Sequence, residues 1–274
     1  MSITAANEAY IHGYDPKEQK RLVDQAKFLE PWIYEGIDFK KSKRILEVGC
    51  GVGAQTKILL KRFPKLKIDG IDLSLEQLEQ ASVYLNRERH QGRVRLMQAD
   101  ASNLSDLEER SYDGAFVCWF LEHVKDPVQV LKETRKRMKP GSKIFISEVF
   151  NQSLFVEPYS VTFLKYWFEF NDLQWALGGH PFVGASLGNI LKNAGFKKIT
   201  TTVESTHFDS RHAKTRTEFL EYFGNILLSA APALKREGRV TAREIEGLKR
   251  ELARVKKTRD SVFFYSWIRA IAVA

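Results

Sequence analysis

The spacing of hydrophobic positions changes repeatedly along the first 150 residues. Across 16–32, Leu22, Ala26 and Leu29, followed by Ile33, recur three or four residues apart. That spacing predicts a helix, with Asp15 as its cap and Pro16 in its first turn. The run KRILEVG at 43–49 reads instead as a short buried strand ending in glycine. An amphipathic helix follows over 54–63 and stops at Pro64, and a strand follows at 66–72. Ser74, with Gln77 three residues on, has capping-box spacing for another helix. Further strands are predicted at 94–99, 112–118 and 143–149, with a helix over 127–138. Strand and helix alternate at intervals of roughly 25 residues, the rhythm of βαβ units that build a parallel sheet with helices on both faces.

Beyond 149 the rhythm breaks. Ten aromatic residues crowd 150–184: Phe150, Phe155, Tyr159, Phe163, Tyr166, Trp167, Phe168, Phe170, Trp175 and Phe182. Phe163, Tyr166, Trp167 and Phe170 fall at helical spacing, which fits core packing; the same cluster also fits the wall of a cleft for a flat or apolar ligand. A helix over 186–194, a stop at Gly195 and a strand at 198–204 resume the alternation. The stretch 205–258 reads as largely helical, and a strand at 262–271 closes the chain. The whole predicts one α/β domain with two inserted helical pieces.

Charge changes this picture at one place. Of 274 residues, 43 are Lys or Arg and 34 Asp or Glu, a net +9. Ten of those cations and four of the acids lie in 235–259. A nucleic-acid binder would spread basic charge over a whole face. The stretch reads more simply as a solvated helix with pairs such as Glu246 with Arg250, and a basic docking surface is the alternative. Only Cys50 and Cys118 occur, with no CxxC pair, and no apolar run reaches the ~18 residues of a membrane span. Together these predict a cytoplasmic chain without a membrane span.

The chemistry concentrates in Glu47-Val48-Gly49-Cys50-Gly51-Val52-Gly53, a strand running through glycines into a helix. Glycines there allow a sharp turn and close ligand approach, and the helix start offers free N–H donors. Gly49, Gly51 and Ala54 also satisfy the dinucleotide pattern G-x-G-x-x-A, so the loop alone does not choose its ligand. Asp72 ends the second strand, where a carboxylate accepts from ribose hydroxyls, and Asp100 ends the third, placed for an adenine amino group. Glu47 would repel a diphosphate but suits an ammonium group, which favours an adenosine ligand carrying a cationic amino acid.

The 47–53 loop, Gly70-Ile71-Asp72-Leu73-Ser74, Ala99-Asp100-Ala101, Tyr112-Asp113 with Leu121-Glu122-His123-Val124, and Leu131 with Met138-Lys139-Pro140-Gly141 occur in order. This series resembles the motifs of class I S-adenosylmethionine-dependent methyltransferases, in their ubiquinone/menaquinone-type, small-molecule branch. The resemblance covers roughly residues 10–204. It implies a Rossmann-like doubly wound, mostly parallel seven-stranded sheet with an antiparallel last strand and helical insertions forming a lid. It also implies an N-terminal helical lid segment at 1–42 and a binding domain at 43–274, with substrate-lid insertions near 150–184 and 205–258.

The resemblance implies S-adenosylmethionine as cofactor and S-adenosylhomocysteine as product. Gly49, Cys50 and Gly51 would meet the methionyl part, Glu47 its ammonium, and Gln55 its carboxylate. Asp72 would hold the ribose with Leu73 beside the adenine, while Asp100 and Ala101 would contact the adenine. Cys118 and Trp119 would line the methionyl side, and Tyr14 and Arg21 would close over the ligand. One departure is Ser142 where the family has a second glycine after Pro140-Gly141.

Methyl transfer from a sulfonium needs alignment more than acid–base help. A base matters only for an acceptor that must lose a proton, and His123 and His180 are the two candidates. The expected reaction is in-line displacement onto a small, aromatic or apolar acceptor. The alternative is methylation of RNA or protein gripped by the 235–259 helix. The N-terminal segment and the aromatic insertion could also pair between subunits.

Overall fold

The computed structural model describes residues 11–13 and 16–274. In chain order its elements begin with α1 (Pro16–Ile33), β1 (Arg44–Val48), α2 (Ala54–Arg62), β2 (Lys67–Asp72), α3 (Leu75–Tyr84), α4 (Asn86–His90), β3 (Val94–Gln98) and β4 (Tyr112–Cys118). Next come α5 (Pro127–Arg137), β5 (Met138–Val149), β6 (Phe155–Glu157), α6 (Val161–Ala176) and α7 (Val183–Asn193). The chain finishes with β7 (Lys197–Phe208), α8 (Ala213–Ser229), α9 (Ala231–Arg236), α10 (Ala242–Lys257) and β8 (Val262–Val273). The described residues form two compact units, one holding 16–148, 183–202 and 268–274, the other 11–13, 149–182 and 203–267.

The first unit is the α/β layer. Its strands run in the order β3-β2-β1-β4-β5, and each of these neighbours pairs in parallel. Register sets Leu46 of β1 opposite Asp69 of β2 and Ala115 of β4. Apolar runs such as Ile45 and Leu46 or Ala115, Phe116 and Val117 are buried, as a sheet covered by helices requires. The helix starts follow the local chemistry. Ser74 Oγ accepts from the Gln77 N–H at 3.3 Å, and Asp126 Oδ1 accepts from the Gln129 N–H at 2.9 Å ahead of Pro127. The end of β8 lies along β5, with Ala274 and residues 141–142 exchanging bonds of 3.1 and 3.0 Å.

Toward the amino-terminal ends of the strands, the buried Asp69 carboxylate gathers three donors from three strands. Arg44 of β1 reaches it at 2.6 Å, Arg95 of β3 at 2.9 Å, and the Tyr112 hydroxyl of β4 at 2.8 Å.

The second unit has a core of its own. Phe163, Tyr166, Trp167 and Phe170 of α6 are all buried, so their helical spacing marks packing. Trp167 stacks on Phe170 with centroids 5.3 Å apart, and its indole N–H donates to the Asn151 carbonyl at 2.9 Å. Phe223 of α8 lies 4.8 Å from Tyr265 and 5.0 Å from Phe263 of β8. Phe155, Tyr159, Phe168 and Trp175 stay exposed. The three-residue β6 pairs antiparallel with the start of β8, Phe155 opposite Phe264. Among the described residues it makes eight strands where seven are expected, and a strand that short is below what alternation can reveal. β7 pairs β8 and runs to Phe208, beyond the predicted 204.

The basic stretch 235–259 is divided between the end of α9, a connection and α10, which is opened by a capping box between Thr241 and Glu244. Leu248, Leu252 and Val255 face inward. Its cations pair locally: Lys249 with Glu246 at 2.7 Å, Arg254 with Glu251 at 2.8 Å, and Lys256 with Glu221 at 3.2 Å. Lys249, one residue before the expected Arg250, pairs with Glu246. Among the described residues no helix is long and apolar enough to cross a membrane.

Candidate active site

β1 enters the glycine loop at the carboxyl edge of the first unit's sheet. The Gly49 and Cys50 N–H groups both donate to the Ile71 carbonyl at 2.9 Å, which pins the loop to β2. Gly49 has φ 72°, and a Cβ there would stand 2.1 Å from Cδ2 of Phe120. The ring of Phe120 therefore fills the space that glycine leaves. Gly51 has φ 49° and a different reason to be glycine: its missing Cβ would point into space with no atom within 4 Å. One glycine is demanded by the fold, the other leaves an open approach to backbone.

Asp72 ties this loop to the next one. Its Oδ2 accepts from the Gly51 N–H at 2.9 Å and its Oδ1 from the Ser74 N–H at 3.0 Å. Burial raises its carboxyl pKa, while the N–H groups of Ser74, Gly51 and Leu73 and the nearby His123 work the other way. Each oxygen keeps acceptor capacity beyond one backbone bond. Glu47 is 2% exposed and accepts from the Thr56 hydroxyl at 2.6 Å. Burial pushes its carboxyl up to about 8, with Asp72 adding to the shift. Gln55, in the first turn of α2, accepts from the hydroxyl of Tyr34, which is buried and stacked 6.1 Å from Phe116.

The adenine side is more open. Asp100 is exposed just past β3, with Oδ1 accepting from Ser102 N–H at 2.8 Å and Ser102 Oγ–H at 2.7 Å; Ala101 beside it is buried. Leu73 is half-buried, and its carbonyl accepts from Gln98 at 3.0 Å. Cys118 ends β4 with a thiol whose pKa burial raises. Trp119 follows at φ 51°, a left-handed conformation rare outside glycine, and its indole N–H is buried without an acceptor. His123 ends the short turn Leu121–His123, partly exposed, with Nε2 3.7 Å from Glu122.

The chain thus gathers the glycine loop, Glu47, Gln55, Asp72, Leu73, Asp100, Ala101, Cys118, Trp119 and His123 on one unit and at the strand ends expected of an open α/β sheet. Three further expectations concern Arg21, Tyr14 and His180. Arg21 is engaged within α1, donating to Glu18 and, at 2.6 Å, to Gln25. Tyr14 lies outside the described residues. His180 belongs to the second unit, where Nδ1 accepts from Phe182 N–H at 3.2 Å, Trp175 packs 5.0 Å away, and burial lowers the pKa. Among the described residues no cluster of His, Cys, Asp and Glu is arranged to hold a metal ion.

Sequence reasoning passed over Thr56, Tyr34, Phe120 and Glu148. Of these only Glu148 left a signal, an acid inside the apolar run IFISEV. It is wholly buried, and its Oε1 accepts from the N–H groups of Phe120 at 2.9 Å and Leu121 at 2.8 Å.

Comparison with known proteins identifies the family. A family described as "Methyltransferase domain" matches residues 46–146. The O-methyltransferase cnsE of Penicillium expansum is 30% identical over 205 residues, 73% of this chain and 70% of that protein. A ubiquinone biosynthesis O-methyltransferase of Leptothrix cholodnii is 28% identical over 50% of this chain and 57% of its own. In fold, the chain is similar to phosphoethanolamine N-methyltransferase 2 of Haemonchus contortus in complex with S-adenosyl-L-methionine. That likeness has TM-score 0.55 and 19% identity, covering 91% of this chain and 52% of the other. On its sequence motifs, its sheet and these relatives, the chain belongs to the class I S-adenosylmethionine-dependent methyltransferases of the small-molecule type.

Proposed function

We propose that this site binds S-adenosylmethionine and directs its methyl group to a hydroxyl oxygen of a small, flat or apolar acceptor. The observation that carries the reading is the pair of carboxyl groups around the loop: Glu47 buried at its base and Asp72 bridging Gly51 and Ser74. A buried acid suits an ammonium, a carboxylate with spare acceptor capacity suits vicinal hydroxyls, and a diphosphate suits neither. The open approach over Gly51 adds room. The O-methyltransferase relatives support oxygen as the acceptor atom.

When bound, the cofactor supplies a methyl on a sulfonium with a neutral leaving group. The protein's work is then to orient both partners and to exclude water. Glu47 would bind the amino group and Gln55 the carboxylate, its amide oriented by Tyr34. Asp72 would take the ribose, with Leu73, Asp100 and Ala101 around the adenine. His123 is the better base of the two histidines. In His180 the Phe182 N–H already uses the Nδ1 lone pair, so a neutral ring carries its proton on Nε2 and has no free basic nitrogen.

The test is calorimetric titration of S-adenosylhomocysteine into wild type and Asp72→Ala, with NADH as control. Micromolar binding that weakens at least tenfold in the variant is expected. No binding to wild type, or preference for NADH, would overturn the reading.

A further inference from the structure

Glu148 ends β5 with a side chain that no step above uses. It is 0% exposed, and a single oxygen, Oε1, holds two successive backbone donors, Phe120 N–H at 2.9 Å and Leu121 N–H at 2.8 Å. Those donors open the turn that joins β4 to α5. Just before them, the Trp119 N–H extends the β4–β5 pairing to the Ser147 carbonyl at 2.9 Å, and Trp119 itself holds φ 51°. Left-handed backbone at a tryptophan persists only where its surroundings enforce it. The carboxyl beneath the next two N–H groups is the group placed to enforce it.

What the turn carries makes this more than local packing. Phe120 sends its ring into the space of the absent Cβ of Gly49, so the turn forms the back wall of the glycine loop. Three residues on, the His123 N–H bonds the Phe120 carbonyl at 3.0 Å, and the imidazole acts electrostatically on Asp72. A shift of the turn therefore moves Trp119, Phe120 and His123 together.

We propose that Glu148 is a positioning residue for methyl transfer, holding the 119–123 turn so that its three side chains are set around the cofactor. The inference rests on the cofactor site described above. Burial, with Glu122 nearby, pushes the Glu148 carboxyl up to about 8, so at neutral pH it is mainly the uncharged acid. The hold is then a matter of a correctly placed acceptor oxygen, which glutamine also supplies.

The experiment is titration of S-adenosylhomocysteine into wild type, Glu148→Ala and Glu148→Gln, with the melting temperature of each. Glu148→Ala is expected to bind at least tenfold more weakly, and Glu148→Gln to return within about threefold of wild type. A purely structural acid would lower the melting temperature and leave the affinity of the folded protein unchanged. Should the alanine variant fail to fold, Glu148→Leu, which keeps the bulk and removes the acceptor oxygen, reads the same link, with at least fivefold weaker binding expected. Wild-type affinity in Glu148→Ala or in Glu148→Leu, or a glutamine variant as weak as alanine, overturns the role of Glu148 while the cofactor site stands. Failure of wild type to bind removes the cofactor reading itself.

Discussion

Glu47 offers the sharpest quantitative test. Burial pushes its carboxyl up to about 8 against an ordinary 4.5. At pH 7 about 0.9 of the molecules therefore carry a proton there. An ammonium set against this group favours the carboxylate, so binding S-adenosylhomocysteine should expel about 0.9 proton at pH 7. Calorimetry in two buffers of different ionisation enthalpy measures that number directly. The same equilibrium makes affinity depend on pH, since ligand must compete with the proton. Between pH 6 and pH 8 the dissociation constant should fall roughly fiftyfold, then level off above 8. Glu47→Gln keeps an acceptor for Thr56 but cannot ionise, so its profile should lack this dependence. Near pH 8.5 the variant should bind roughly 10- to 150-fold more weakly, the worth of a charge-assisted bond of about 1.5–3 kcal/mol. A wild-type profile no steeper than the glutamine variant's, or release below about 0.2 proton, would refute the pairing of Glu47 with an ammonium.

The two glycines of the loop should separate stability from binding. Gly49→Ala meets Phe120 at 2.1 Å as well as a left-handed φ, and should cost about 2–5 kcal/mol by denaturant titration. Gly51→Ala meets only the φ penalty, about 1–2 kcal/mol, yet its methyl enters the open approach and should weaken S-adenosylhomocysteine at least tenfold. Leu248→Ala, at a fully buried position of α10, should cost about 2–5 kcal/mol and leave cofactor affinity unchanged, as judged by thermal unfolding and titration. Folding stability should also respond to pH through Glu47 and Glu148. Both are raised, so the folded state binds more protons and stability falls as pH rises from about 4.5 to about 8, then stays level. The slope is at most about 1.4 kcal/mol per pH unit for each, and the double glutamine variant should flatten it.

Alternation made most of the α/β unit legible, because a buried parallel strand and an amphipathic helix each write their own period into the chain. Ser74, Asp72 and the glycine loop were legible for a similar reason: their roles depend on local backbone, which local sequence encodes. Residues acting across the fold left no such trace. Tyr34 reaches Gln55 over 21 positions and Glu148 reaches Phe120 over 28, and only tertiary packing brings them together. The aromatic stripe of α6 had two meanings at equal spacing. Deciding between them required knowing that α8 and β8 lie against one another as its unit's core, and that is tertiary information. β6 was invisible because three residues contain no period.

The Asp69 cluster has a consequence for how such a protein can change. Three strands are fastened at their amino-terminal ends by one carboxylate, while every residue assigned to cofactor and base stands at their carboxyl ends. Mutations that recast the acceptor site leave this fastening untouched, and so draw on a reserve of stability that they do not themselves deplete. A library confined to the unburied positions 100, 102, 103, 123 and 124 should therefore yield mostly folded members, whereas the same diversity at 44, 69, 95 and 112 should not. The sheet keeps its durability at one end and its capacity for new chemistry at the other.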